Sequence, residues 1–256
     1  MTNLGASALW GLLVGTSLVA GALTAVRLKV PESVSAVVSA FGGGLLLAAI
    51  AFELVPDADK DAGVVITAAG LLGGTLIYVG ADAWLTRNDA TKNMRRAGHA
   101  AASGRSMHMD MPDHSEAARG ETIAAGLFVD GVPESMALGL TVAEGSVGAA
   151  LLVGILVGNL VEAYGAAQPI IAGGHSKGFA IGLLGGIGVA LAGATILGGT
   201  LLPQVSPALI GAAEAVAAGA VLAVVSISII PYAFEEVSSI VATAAVVGFI
   251  GGYVLT

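Results

Sequence analysis

The chain is dominated by apolar runs close to 20 residues long, separated by short polar turns. Built as a helix, such a run spans the roughly 30 Å of hydrocarbon in a bilayer. Eight can be placed, at roughly 8–28, 34–55, 63–85, 121–142, 147–171, 178–202, 207–230 and 237–256. Each must be helical, because hydrocarbon offers the backbone no other hydrogen-bond partner. Composition agrees: only 11% of residues are charged, against about 25% in a soluble domain. The expectation is an all-α integral membrane protein of eight transmembrane helices, one domain over 1–256, with a long loop at 86–120. There is no cysteine, so disulfides and thiolate sites are excluded. The first run has no Lys or Arg before it and no convincing cleavage site. It reads as a retained span and not as a signal peptide.

Basic residues set the orientation. Six of the ten lie between runs three and four: Arg87, Lys92, Arg95, Arg96, Arg105 and Arg119. Arg27, Lys29 and Lys177 fall on the same side, and Lys60 alone on the other. By the positive-inside rule both termini lie outside and the 86–120 loop is cytoplasmic. Small-xxx-small pairs, Gly11/Gly15, Gly70/Gly74 and Gly182/Gly186, are expected to let helix backbones approach closely.

Polar residues inside the runs carry the functional signal, because an ionisable group at membrane depth is costly to keep. FVDGVPESMALGL (128–140) holds Asp130 and Glu134 four residues apart, on one helix face, around Pro133. In the next run Asn159 and Glu162 lie within a turn of each other. Adjacent antiparallel spans can converge these three carboxylates and the amide at mid-membrane. Like charges so packed resist joint ionisation. Protonation relieves this, making a proton relay; so does a bound cation. Hydrogen-bonded carboxyls that only join helices are the structural alternative. Pro133 lacks an N–H and frees the carbonyl of Val129, another hard oxygen donor. The same pattern, a polar residue three before a proline, recurs at Glu53–Pro56 and Ser228–Pro231. On the derived topology Glu53 and Asp57 form an outer entrance, the central residues a binding site, and Ser228 an inner exit. Asp82 and Glu214 lie near run ends and are expected to reach the interface. His108 and His114, in MHMDMPDHSE (107–116), are either loop metal contacts or part of a solvated linker. His175 sits with Lys177 in a glycine-rich turn and is expected to face water.

Four stretches, ELVPDA (53–58), DGVPESMALG (130–139), GNLVEAYGAA (158–167) and more loosely VSISIIPYAFEE (225–236), resemble the ZIP (Zrt/Irt-like protein) family of divalent-metal transporters. The resemblance implies secondary transport of zinc, iron or manganese toward the cytoplasm. It implies a metal centre in spans four and five, a homodimer, and a multi-pass location in the plasma (inner) membrane. The metal is cargo; no resident cofactor and no nucleic acid partner is implied. By position Glu134 and Glu162 match the family's glutamates and Asn159 another polar ligand position. Asp130 and Gly158 stand where histidines are typical, and Gly131 at an asparagine. Glu53 replaces a histidine, and Ile227 and Ser228 a His-Glu pair. Losing imidazole leaves an oxygen donor set, which suits Mn²⁺ or another hard cation better than zinc. The altered ligands also leave room for a ZIP-like metal-sensing or structural protein without transport. An intramembrane enzyme is disfavoured: HExxH is missing, VGADAW (79–84) lacks the second glycine of GxGD, and no histidine lies in a run to serve a serine.

Overall fold

The computed structural model describes residues 3–85, 115–143, 145, 148–172, 174–201 and 206–256, and among them every regular element is helical. In chain order these are α1 (Asn3–Arg27), α2 (Glu32–Ala49), a π-helical segment Ile50–Leu54, α3 (Val55–Ala62) and α4 (Val64–Leu85). Then follow α5 (Ser115–Ala143), α6 (Ala149–Ala172), α7 (Lys177–Leu201), α8 (Pro207–Val224), a second π-helical segment Val225–Ile229, α9 (Ile230–Val237) and α10 (Ile240–Leu255).

Six stretches among the described residues are long and apolar enough to cross a membrane: Leu4–Arg27, Ser33–Ala62, Val64–Trp84, Ala149–Ala172, Lys177–Thr200 and Pro207–Ile229. The chain is thus built as a multi-pass helical membrane protein. Two expected spans are not among them. Helix α5 has 29 residues, about 43 Å of length. Helix α10 is uniformly apolar but has 16 residues, about 24 Å.

Several boundaries differ from those expected, each with a local cause. The 86–120 loop is shorter at its end, because α5 begins at Ser115; residues 86–114, with His108 and His114, lie outside the described residues. The second run does not stop at its proline but continues through Pro56 to Ala62. Val55 N–H bonds the carbonyl of Ile50, five residues back. This π-turn resets the ladder so that Pro56 falls in the first turn of a new α-segment, where its missing N–H is not needed. The seventh run behaves identically: Ile230 N–H bonds Val225 and Pro231 opens α9. Helix α9 ends at Ser238, whose φ of 51° lies in the left-handed region.

Packing sorts the helices into two groups. Helix α1 lies against α7 and α6, and α7 against α5. Leu18, Ala22, Leu127, Ala163, Ala167, Ile170, Leu184 and Leu191 form the apolar core of that group. In the other group α10 packs on α2, α4 on α8, α3 on α8 and α9 on α2. The groups meet where α2 touches α6 and α8 touches α5. The pattern survives exchange of α1 with α7, α2–α3 with α8–α9, α4 with α10, and α5 with α6.

Close backbone approach follows the same exchange. A Cβ at Gly74 of α4 would overlap the carbonyl of Val216, and one at Gly219 of α8 that of Leu71. Their counterparts are Gly44 of α2 against Ala245 and Gly248 of α10 against Phe41. Gly15 and Gly188 face each other across α1 and α7, each Cβ coming within 2.8 Å of the other's carbonyl oxygen. The expected role of Gly182 and Gly186 is not what the structure has: a Cβ at either meets nothing within 4 Å. Gly188 takes that place on α7. Neighbouring glycines of α4 therefore separate the effects of packing and propensity. Gly74→Ala should cost about 1–3 kcal/mol through overpacking. Gly73→Ala, with open space around it, should be neutral or stabilising by up to about 1 kcal/mol. Thermal unfolding of the two variants in detergent checks this order.

Candidate functional site

The polar centre is built on α5. Asp130 and Glu134 stand one turn apart and are almost fully buried, at 3% and 6% exposure. They are close enough for their charges to act on each other. Pro133 lies between them inside the helix, so the ladder lacks one N–H at this point. Ser135 follows, fully buried, with no hydrogen-bond partner for its hydroxyl among the described residues.

Two other helices reach this pair. Tyr78 of α4 is buried at 2% exposure and donates its hydroxyl to Asp130 Oδ1 at 2.6 Å. The Tyr78 hydroxyl oxygen is also 3.2 Å from Ser228 Oγ, and either hydroxyl can donate in that pair. Ser228, expected as a separate exit station, thus lies beside the carboxylate pair through one shared phenol. On α6, Asn159 is buried and its Nδ2 has no partner among the described residues. Glu162 is half-buried. Among the described residues no three His, Asp or Glu side chains gather in an arrangement able to hold a metal ion. The expected convergence of three carboxylates is therefore not seen: the close pair is Asp130 and Glu134.

The expected entrance residues occupy a different place. Glu53, in the first π-segment, is half-buried and accepts the backbone N–H of Ala150 at 3.3 Å, with Leu151 also in reach. These are orphan donors of the first turn of α6, so a carboxylate from α2's extension caps α6 from outside. Gly148 makes room, since a Cβ there would strike the Glu53 carboxylate. Asp57 follows one turn later, half-buried and near enough to act on Glu53 electrostatically.

Sequence reasoning missed Tyr78 and misplaced Glu214. Glu214 does not reach an interface; it is fully buried on α8. Tyr78 carried a usable signal, because a tyrosine hydroxyl at membrane depth requires a partner, and Asp82 lies one turn beyond it. His175, expected simply to face water, is half-buried and stacks on Phe179 with ring centroids 4.3 Å apart.

No protein-family model matches the chain, and no curated protein matches its sequence.

The capping contact gives a test of its own. Glu53→Ala should cost about 0.5–2 kcal/mol, the usual effect of losing a helix cap, and should speed hydrogen exchange at the Ala150 and Leu151 amides. Glu53→Gln, which keeps an acceptor, should lose less. Exchange mass spectrometry of the α6 N-terminus measures both.

Proposed function

We propose that the chain is a ZIP-like secondary transporter that moves a divalent metal ion toward the cytoplasm. The observation that carries this reading is the pair Asp130 and Glu134, buried together on one face of α5 beside a proline. Neither a soluble role nor simple packing calls for two adjacent carboxylates at that depth; a mobile cation supplies the charge they lack. Asn159 supplies a buried amide on α6, a helix packed against α5, and Glu162 a further carboxylate brought in when the helices rearrange around an ion. In this reading Glu53 and Asp57 lie toward the outer side of the route, and Ser228 belongs with the central pair. In this reading eight helices cross the bilayer with both termini outside, and the chain forms a homodimer in a plasma membrane. The exchange pattern then relates the first three spans to the last three with inverted topology, and transporters of that plan bind substrate where the repeats meet.

All identified donors are oxygens or an amide. Such a set favours Mn²⁺ or another hard cation over zinc. Gly158 offers a way to reverse this. It stands one turn before Glu162, where the family carries histidine, and a Cβ there meets nothing within 4 Å.

A second reading, a metal-sensing or structural relative without transport, is favoured by the Tyr78 bond to Asp130, which satisfies that carboxylate internally. Bound-metal titration of purified protein with Mn²⁺, Zn²⁺ and Mg²⁺ separates the two, since binding by none of them favours the second. For transport, Mn²⁺ uptake into proteoliposomes should be abolished by Glu134→Gln and by Asp130→Asn, with both variants still folded. Undiminished uptake in both would sink the proposal. Gly158→His should raise the preference for Zn²⁺ over Mn²⁺ about tenfold or more in a competitive uptake panel.

A further inference from the structure

Tyr78 joins the two helix groups at the candidate site: it belongs to α4, Asp130 to α5, and Ser228 to the π-segment after α8. A phenol donor compensates a buried carboxylate while no cation is present. A divalent ion on the same oxygen competes for its lone pairs and repels the partly positive hydroxyl hydrogen. Ser228 Oγ offers that hydrogen a second acceptor 3.2 Å away, reached by rotating the hydroxyl without moving the ring. Resting on the transport reading above, we propose that Tyr78 is a positioning residue that works as a cation-responsive tie. Its hydroxyl is bound to Asp130 when the site is empty and to Ser228 when the site is loaded.

The arrangement fits this role in three ways. The 2.6 Å separation from Asp130 is that of a charge-assisted O–H bond, and the 3.2 Å separation from Ser228 that of a weaker neutral one. Tyr78 is buried at 2% exposure, so water does not compete for the hydroxyl. Its ring packs in the apolar core with Leu46, Ile155, Val221 and Val225, which holds the oxygen in place between its two partners.

The tie predicts effects of opposite sign. Tyr78→Phe removes the donor that a cation must displace, so Mn²⁺ should bind the purified full-length protein about tenfold tighter. Ser228→Ala removes the fallback acceptor, so Mn²⁺ should bind severalfold weaker. A purely structural role would not produce opposite shifts. Isothermal titration with MnCl₂ reads both, and unchanged or weaker binding by Tyr78→Phe overturns the tie, weaker binding meaning that the phenol itself is a ligand. Binding of no cation by the unmodified protein overturns the transport reading and the tie with it, which keeps the two failures apart. Should the Phe variant not fold, the unmodified protein has its own readout. Ultraviolet resonance Raman bands of a tyrosine donating to a carboxylate should shift on saturation with Mn²⁺, and an unchanged spectrum overturns the proposal.

Discussion

Two carboxylates one turn apart in a low-dielectric bundle set the terms for the rest of this structure. Asp130 and Glu134 cannot rely on water, since both are almost fully buried. Compensation has to come from neutral donors or from something that arrives and leaves. Tyr78 is one neutral donor provided. One phenol cannot serve two carboxylates, and the buried amide of Asn159 and hydroxyl of Ser135 retain unused hydrogen-bonding capacity. Such a site is only partly satisfied, and a partly satisfied buried network is costly unless another state uses the remaining groups.

The prolines show how the same sequence admits a bend without losing a helix. Pro56 and Pro231 each follow a five-residue π-segment, and each lands in the first turn of the next α-segment. An unbulged α-helix would instead have left a clash and a missing bond. Pro133 has no such adjustment and stands inside α5. The difference matches what surrounds them. Glu53 and Ser228 occupy the fourth position of their π-segments, where the local widening aims a side chain at a neighbouring helix. Around Pro133 the carboxylates already face inward on the α-helical face.

Much of this was legible from residues alone. The apolar runs located the helices, and i, i+4 spacing put Asp130 and Glu134 on one face. What failed has a common cause. In a membrane protein the core and the lipid are equally apolar, so hydropathy does not say which face of a helix meets protein. Glu214 looked like an interface residue because of its distance from the run's end, yet α8 is enclosed by α3, α4 and α5. Tyr78 is buried although Leu72, Leu76 and Ile77 beside it are exposed, a difference that their shared apolar setting does not reveal. Gly182 and Gly186 had the right spacing for close packing but the wrong face, six and two residues before the contact at Gly188. The π-segments had no residue signature at all, since a π-turn answers to the tertiary position of the chain beyond it.

The exchange pattern sharpens what the two π-segments do. Under it, the α2 extension corresponds to the α8 extension and α6 to α5. Glu53 reaches the central helix pair directly, through the amide of Ala150 on α6. Its counterpart Ser228 reaches the pair through Tyr78, on Asp130 of α5. The positions are equivalent but the chemistry is not. The Glu53 bond is to a helix terminus, whose partial positive charge is fixed by the backbone. The Tyr78 bond is to a side-chain charge that a cation can neutralise. A divalent ion at Asp130 therefore competes with one of these ties and leaves the other intact. Were both ties alike, an ion would loosen or hold the two helix groups symmetrically. With one tie sensitive to charge and one indifferent to it, an ion at the site proposed above would act on one of the two related positions and leave the other unchanged.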